Sequence, residues 1–285
     1  MRPQQWVKNG ILFFPLFFAQ EIGKGDKLLH VFILFVGFCL LSSCIYILND
    51  LLDIQEDRLH PTKRFRPLAA GEISPGKAFA FMLSLLGITT VYVGYFYPAP
   101  LLENRIVLLV VAYVLLNLLY SCLLKRIQIV DAMVIACGFV IRLEAGAEAG
   151  GIDLSHWLII MTFILSLFLA FAKRLDDLRN FFATGVVSRK NVTGYTIDFL
   201  NVVLAFLSAV ITIVYILYTI APEVTDRSSP YLYLTVPFVL TGIIRYLQIL
   251  LVEQSTCNPT DILLHDRTLQ LTIVGWLFVF TILIY

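Results

Sequence analysis

The feature that most constrains this chain is a series of nine apolar stretches along its 285 residues. A helix needs about 20 mostly apolar residues to cross the hydrocarbon core of a bilayer. The first stretch is short and contains Pro15, so it is expected to kink or to enter obliquely. The sequence predicts an all-α, polytopic membrane protein of nine transmembrane helices, forming a single integral-membrane domain over residues 1–285. The stretches are 6–19, 28–51, 78–97, 106–124, 129–147, 157–172, 197–220, 231–252 and 269–285.

Composition excludes several other classes of protein. The chain is 59% hydrophobic and 14% charged, whereas a soluble domain is roughly half apolar and a quarter charged. A net charge of +1 argues against a nucleic-acid-binding protein. The five cysteines form no C-x-x-C pair and the four histidines have no metal-ligand spacing, so neither a disulfide framework nor a zinc site is expected. The N-terminal sequence has no small-residue cleavage site, so a removable signal peptide is not expected.

The distribution of lysine and arginine predicts the orientation of the chain. If the N-terminus is cytoplasmic, fifteen of the 21 basic residues lie in inner segments, four lie in outer segments, and Arg142 and Arg245 lie within spans. The positive-inside rule therefore places the N-terminus in the cytoplasm. Eight acidic residues fall on the same side, which the rule does not require because it concerns Lys and Arg. They are Asp50, Asp53, Glu56, Asp57, Asp176, Asp177, Asp261 and Asp266. We therefore expect a multi-pass protein of the inner (plasma) membrane with its chemistry on the cytoplasmic side.

The sharpest motif is N-D-L-L-D-I-Q-E-D, residues 49–57, at the inner end of the second span. On a continuous helix Asp50, Asp53 and Asp57 would form one stripe, here called the acidic stripe, with Asn49 beside it. These carboxylates repel one another, and a helix C-terminus disfavours anions. A divalent cation would relieve that penalty, and Mg²⁺ prefers a few carboxylates together with substrate phosphate oxygens. The motif thus predicts a magnesium and diphosphate site, and the alternative is an ordinary solvated helix end.

Basic and polar residues near the inner rim are candidates for holding phosphate groups that a metal does not reach, because Arg and Lys donate charge-assisted hydrogen bonds. Positive-inside topology alone, or anchoring at the membrane interface, is the alternative explanation for each of them. Arg245, within a span, is expected to face a cavity. Arg142, close to Glu144 and Glu148, is expected to form a structural pair or to snorkel. The candidates are Lys8, Lys63, Arg64, Arg66, Tyr120, Lys125, Lys173, Arg174 and Arg245.

These motifs resemble the UbiA superfamily of intramembrane prenyltransferases, and more narrowly its decaprenyl-phosphate phosphoribosyltransferase branch. The segments that carry the resemblance run from Arg2 to Gln270: RPQQWVKN, NDLLDIQED, HPTKRFRPLAAG, NLLYSCLLK, AKR, VPFVLTGIIRY and PTDILLHDRTLQ. The resemblance implies nine transmembrane helices around a central cavity. It also implies Asn49 and the acidic stripe as ligands of Mg²⁺ and diphosphate. Where the family continues AKR with Glu and Leu, this chain has Asp176 and Asp177, whose roles the resemblance leaves undefined.

The activity implied is transfer of 5-phosphoribosyl from phosphoribosyl pyrophosphate to a polyprenyl phosphate, with release of pyrophosphate. The expected partners are these two substrates and the membrane, and the sequence leaves a homo-oligomer open. One alternative is a prenyltransferase that moves an isoprenoid from its diphosphate to an aromatic or other acceptor, but a second D-x-x-x-D stripe is missing. Another is a transporter, which would carry charges deep in its spans or broken helices in matched halves.

Overall fold

A computed structural model describes residues 3–59, 63–98, 103–185, 194–253, 262 and 265–285, and the described chain is all-α. Residues 2, 60–62, 259–261 and 263–264 of the motifs quoted above lie outside these ranges. The chain divides into two compact units, Met1–Leu154 and Ser155–Tyr285. The α-helices are α1 (Phe14–Phe18), α2 (Gly25–Leu52), α3 (Ile54–Leu59), α4 (Pro75–Phe96), α5 (Arg105–Cys122), α6 (Val130–Gly150), α7 (His156–Thr184), α8 (Ile197–Ile220), α9 (Pro222–Thr225), α10 (Val236–Leu251) and α11 (Arg267–Ile284).

Seven helices in the described part of the chain are long and apolar enough to cross a membrane: α2, α4, α5, α7, α8, α11 and the stretch Leu232–Leu251 that contains α10. The prediction of an all-α protein with several spans is confirmed, but the count of nine is not. The predicted fifth span corresponds to α6, a helix of 21 residues that carries Asp131, Arg142, Glu144 and Glu148. The predicted first span is not one apolar α-helix.

That first segment is a 3-10 helix, Pro3–Phe13, followed by the short α1. A 3-10 helix has three residues per turn, so every third side chain lies on the same face. Asn9, Leu12 and Pro15 follow this period and are buried, with Leu12 at 0% exposure. Lys8 lies off the buried face and is exposed. The burial pattern with a period of three explains how a segment with a proline packs along α2 and α6.

Close approach of the backbones fixes this segment against α6. A Cβ atom placed on Gly146 would lie 2.1 Å from the carbonyl oxygen of Leu12, well inside van der Waals contact. Only glycine allows the 3-10 helix to pass at this distance. Leu12 and Leu16 then join the core that α2 builds with Val31, Leu34 and Phe38.

Arg142 ties the same elements together inside the unit, although it was expected to pair with a glutamate or to snorkel. Its guanidinium is buried, and Nη1 donates to Asn9 Oδ1 at 3.3 Å and to the Tyr113 hydroxyl at 3.1 Å. The guanidinium also lies over the Phe139 ring, at 4.4 Å from its centroid. Glu148 instead contacts Arg105 at 3.4 Å. The expectation for Arg142 is therefore wrong, because polar and aromatic groups of neighbouring elements surround this cation.

The second unit is built around the pairing of α7 with α8 and of α10 with α11. A polar chain joins three of its elements: Trp276 donates to the Tyr215 hydroxyl at 2.7 Å, and that hydroxyl lies 2.6 Å from Thr235 Oγ1. Near the C-terminus of α7, Arg179 donates to the carbonyl oxygen of Leu250 and so links α7 to α10. These buried polar groups thus find their partners on neighbouring elements, as is usual for polar groups in an apolar interior.

We expect Gly146→Ala to lower the melting temperature of the purified protein in detergent, with a loss of about 1–3 kcal/mol from overpacking. Gly138→Ala in the same helix is the matched control, since its Cβ would be 3.9 Å from the nearest side chain. That control should keep or slightly raise the melting temperature, because alanine favours a helix over glycine by about 1 kcal/mol. Equal melting temperatures for the two variants would contradict the close approach.

Candidate functional site

The acidic stripe lies where α2 passes into α3. Asp53 is the single residue between the two helices, with φ −102° and ψ 10°. The amide of Asp53 donates to Asn49 O at 3.0 Å, and the amide of Asp57 donates to Asp53 O at 2.8 Å. The i→i−4 pattern therefore continues through the joint, which keeps the carboxylates of the stripe on neighbouring turns.

Two cations compensate the three carboxylates. Nη1 of Arg66 lies 2.6 Å from Asp57 Oδ2 and 3.2 Å from Asp50 Oδ1. Nζ of Lys125, just after α5, lies 2.5 Å from Asp53 Oδ1. Asp57 is only 4% exposed, so its pairing with Arg66 avoids an uncompensated buried charge.

The loop of the R-P-L-A-A-G motif positions Arg66. Leu68 is buried in a cluster with Ile47 of α2 and Met82 of α4, which anchors the loop on the helices. The chain then turns at Gly71, whose φ of +82° is a left-handed conformation that glycine adopts at little cost. Arg58 Nε also donates to Ala69 O at 3.3 Å. Local packing of the loop thus directs a cation back onto the stripe.

These ion pairs bear on the stability of asparagine variants of the stripe. Mutual repulsion in the stripe predicts that replacing an aspartate by asparagine adds stability or costs little. In the structure each carboxylate has a cation beside it, so neutralising one carboxylate leaves Arg66 or Lys125 with less compensation. We therefore expect a modest loss of stability, since partly exposed ion pairs contribute about 0–1 kcal/mol.

The residues of the stripe fit a hard divalent cation by their chemistry. Carboxylate oxygens are the ligands that Mg²⁺ prefers, and Arg66 already places a positive charge between Asp50 and Asp57. Within the described ranges, no three His, Cys, Asp or Glu side chains lie close enough together to hold a metal ion. The three carboxylates therefore do not converge on one point in this structure, and their positively charged partners are Arg66 and Lys125.

Other predicted residues of the first unit lie around this site with differing exposure. Asn49 is in the last turn of α2 and half-buried, and Tyr120 is half-buried in the last turn of α5. Lys63 and Arg64 lie in a 3-10 turn, Lys63–Phe65, just before Arg66. The guanidinium of Arg64 lies 4.8 Å from the centroid of the Phe65 ring.

The second unit carries its own charge cluster in the C-terminal half of α7, about two turns before the helix ends. Arg174, Asp176 and Asp177 are all buried, with Arg174 at 1% exposure. Lys173 donates to Asp176 and lies 3.4 Å from Asp177, and Arg174 Nη1 lies 3.6 Å from Asp177 Oδ2. Asn180 Nδ2 donates to Asp176 Oδ1 at 3.2 Å. The two aspartates, whose roles the sequence leaves undefined, thus compensate the two cations predicted to bind phosphate.

Arg245 is fully engaged with neighbouring side chains. Its Nε and Nη2 donate to both carboxylate oxygens of Asp266, with Nη2 at 2.6 Å from Oδ2. Its Nη1 donates to Glu253 at 2.7 Å and to Gln248 at 2.9 Å. Asp266 also accepts from the amide of Leu269 at 2.8 Å and so caps α11. The hydrogen bonds from Arg245, and then that from the Leu269 amide, lower the pKa of Asp266 below its ordinary value.

Sequence reasoning missed two features of the first unit. One is the contact of Arg142 with Asn9 and Tyr113. A charged residue within a predicted span is the sequence signal that could have indicated such a buried polar contact. The other is Lys77, in the first turn of α4, which lines a cavity together with Asp50 and Arg66. No local pattern indicates that cavity, because residues of α2, the 63–73 segment and α4 form it together.

The chain is similar in sequence to a known protein family. Residues 11–265 match the model of the UbiA prenyltransferase family. The decaprenyl-phosphate phosphoribosyltransferase of Corynebacterium glutamicum is 32% identical over 291 aligned residues, covering 100% of this chain and 85% of the relative. The protein of the same name from Mycolicibacterium smegmatis is 31% identical, covering 97% of this chain and 88% of the relative.

Solved structures of the same fold include a UbiA homologue from Archaeoglobus fulgidus bound to DMAPP and Mg²⁺. Its TM-score is 0.70 at 18% identity, over 99% of this chain and 98% of the other. The all-α architecture and the apolar helices are shared with an enzyme family of the membrane. The chain therefore belongs to the UbiA prenyltransferase family and is a membrane-embedded transferase.

Proposed function

We propose that this enzyme transfers 5-phosphoribosyl from phosphoribosyl pyrophosphate to a polyprenyl phosphate and releases pyrophosphate, in a reaction that requires Mg²⁺. The observation that carries the proposal is the acidic stripe bridged by Arg66, which offers carboxylates for a metal and a cation for phosphate at one place. The names of the full-length relatives in Corynebacterium and Mycolicibacterium support the choice of donor and acceptor.

The distribution of charge favours this reaction over transfer of an isoprenoid. A prenyl diphosphate has one charged group, whereas phosphoribosyl pyrophosphate has a diphosphate and a separate 5-phosphate. The acceptor adds a third anionic group. The chain has one acidic stripe, and the second D-x-x-x-D stripe expected of the runner-up is absent from the sequence. The basic residues near the stripe are more numerous than a single diphosphate needs.

Each candidate residue has a proposed role in binding the metal or the phosphate groups. Asn49 and the carboxylates of Asp50, Asp53 and Asp57 would hold Mg²⁺ and the diphosphate. When bound, Mg²⁺ supplies Lewis-acid stabilisation of the leaving group. The UbiA homologue from Archaeoglobus fulgidus, with its bound Mg²⁺, supports this assignment. Phosphate ligands are the remaining candidates, Lys8, Lys63, Arg64, Arg66, Tyr120, Lys125, Lys173, Arg174 and Arg245.

The chemistry follows from charge separation at the anomeric carbon. An oxygen of the lipid phosphate forms the new bond to C1 of the ribose as the bond from C1 to the diphosphate breaks, and the electron pair leaves with pyrophosphate. Positive charge grows on the sugar beside the carboxylates, while Arg66 and Lys125 lie where they can stabilise the departing anion. The acceptor phosphate is already ionised, so the site has to position it rather than to remove a proton.

We propose further that the protein lies in the inner membrane with the stripe on the cytoplasmic side, and that residues 1–285 act as one domain. The excess of Lys and Arg in the inner segments supports the orientation. The family match over residues 11–265 runs through both compact units and supports a single functional domain. A homo-oligomer remains a compatible assembly.

We expect Asp50→Asn, Asp53→Asn and Asp57→Asn each to reduce product formation by about a hundredfold or more, the loss typical of removing charge stabilisation from an active site. The assay incubates purified protein with Mg²⁺, labelled phosphoribosyl pyrophosphate and a polyprenyl phosphate, and measures labelled lipid. Asp26→Asn, an exposed carboxylate at the other end of α2, is the matched control and should keep full activity.

Loss of folding must be separated from loss of chemistry in these variants. Asp53 is the informative position, because its side chain is 30% exposed and its removal should leave the melting temperature nearly unchanged. If two of the three asparagine variants keep near-wild-type turnover, the metal site lies elsewhere. If the wild-type protein makes no labelled lipid, the proposed activity itself fails.

Topology is tested by cysteine labelling in intact cells. Cysteines introduced near Gly76 and Gly185 should react only with membrane-permeant reagents, because the charge bias places these loops in the cytoplasm. Cysteines near Gly25, Gly150 and Ser228 should react with impermeant reagents. The inverse pattern would move the acidic stripe to the outer face.

A further inference from the structure

A cavity of about 490 Å³ lies beside the acidic stripe in the first unit. Its polar lining consists of Asp50, Arg66 and Lys77, and its apolar lining includes Tyr46, Phe65 and Phe81. The size is within the range of pockets that hold small ligands, and apolar walls with a few convergent polar groups are typical of binding sites.

The apolar wall reaches the exposed surface of a helix that is long and apolar enough to cross a membrane. Phe81 lines the cavity and is 47% exposed, and Ile88, two turns further along the same face of the helix, is 58% exposed. Both belong to α4, one of the helices long and apolar enough to cross a membrane. Large exposed apolar side chains on such a helix contact the acyl chains of the bilayer. A ligand with an apolar tail can therefore enter the cavity from the membrane while its tail remains in lipid.

The polar side of the cavity is electropositive. Lys77 lies in the first turn of α4, where the helix dipole adds to its positive charge. Among the described residues no carboxylate lies within ion-pair distance of its ammonium, whereas Arg66 is already shared by Asp50 and Asp57. A cation near a spanning-helix terminus extends toward the headgroup level of a bilayer. Lys77 is thus an available cation at the depth where a lipid phosphate lies.

We propose that this cavity binds the phosphate and the first isoprenoid units of the polyprenyl phosphate acceptor, with Lys77 contacting the phosphate. The inference rests on the proposed function, because it names the acceptor site of that reaction. Asp50 and Arg66 belong both to the cavity and to the stripe, so a phosphate held by Lys77 lies next to the place proposed for the donor. A polyprenyl chain is far longer than the cavity, and its remaining units extend into the bilayer.

Binding without the donor tests the site directly. Farnesyl phosphate, a short polyprenyl phosphate, is titrated into purified protein in nanodiscs, with farnesol and inorganic phosphate as separate probes. Lys77→Gln should raise the Kd of farnesyl phosphate by about ten- to a hundredfold, the effect of losing one hydrogen bond to a charged group, and leave farnesol unchanged. Phe81→Ala should weaken both isoprenoid probes, and inorganic phosphate should not compete at matched concentration.

Arg126→Gln is the control for general surface charge, because Arg126 is an exposed cation of the same unit and does not line the cavity. It should leave the Kd of farnesyl phosphate unchanged. Wild-type affinity in Lys77→Gln would overturn the site, as would an equal loss in Arg126→Gln or competition by inorganic phosphate.

The binding experiment and the activity assay for the proposed function can fail independently of each other. If farnesyl phosphate binding depends on Lys77 but the protein forms no labelled lipid from phosphoribosyl pyrophosphate, the proposed reaction is wrong and the lipid-phosphate site is supported. If Lys77→Gln forms labelled lipid with an unchanged KM for the polyprenyl phosphate, the proposed reaction is supported and this acceptor site is wrong.

Discussion

The contact of Arg66 with Asp50 and Asp57 is the interaction on which the candidate site of the first unit depends. Three carboxylates at the C-terminal end of a long apolar helix repel one another and oppose the helix dipole. The loop that carries Arg66 relieves this by placing a guanidinium between two of them, while Lys125 compensates the third. That loop is itself held by Leu68 in the cluster between α2 and α4, so apolar packing sets the geometry of the charged site.

The same rule applies to charges deeper in the protein. Arg142 is surrounded by Asn9, Tyr113 and Phe139, and the buried Asp176 of α7 accepts from Lys173, which is itself only partly buried. A charge or polar group in an apolar interior is tolerated only when its partners are close. These contacts also fix segments that carry candidate residues: Asn9 adjoins Lys8 in the 3-10 helix, and the α7 cluster contains Lys173 and Arg174, two predicted phosphate ligands. The proposed substrates are anions that would compete for these cations.

Much of the fold follows from local patterns, because a helix that crosses lipid must be long and apolar. Seven of the nine predicted spans satisfy this rule, whereas α6 does not, since four charged residues interrupt it. Hydropathy cannot show that tertiary partners allow Arg142 to be buried. The acidic stripe could be predicted from the sequence because its three aspartates follow the helical repeat. The partners of Lys173 and Arg174 lie three or four residues further along α7, so helical spacing could have indicated them. The partner of Arg245 could not be predicted in this way, because it is Asp266, at the start of another helix. The roles of all predicted site residues remain predictions.

The central claim is that this site binds phosphoribosyl pyrophosphate rather than a prenyl diphosphate, and ligand-induced stabilisation measures it most directly. A ligand at 100 times its Kd stabilises the folded protein by about 2.7 kcal/mol. Phosphoribosyl pyrophosphate with Mg²⁺ should therefore raise the melting temperature, ribose 5-phosphate or diphosphate alone should do so much less, and Arg66→Gln should reduce the shift. A protein stabilised by geranyl or farnesyl diphosphate and unaffected by phosphoribosyl pyrophosphate would contradict the account.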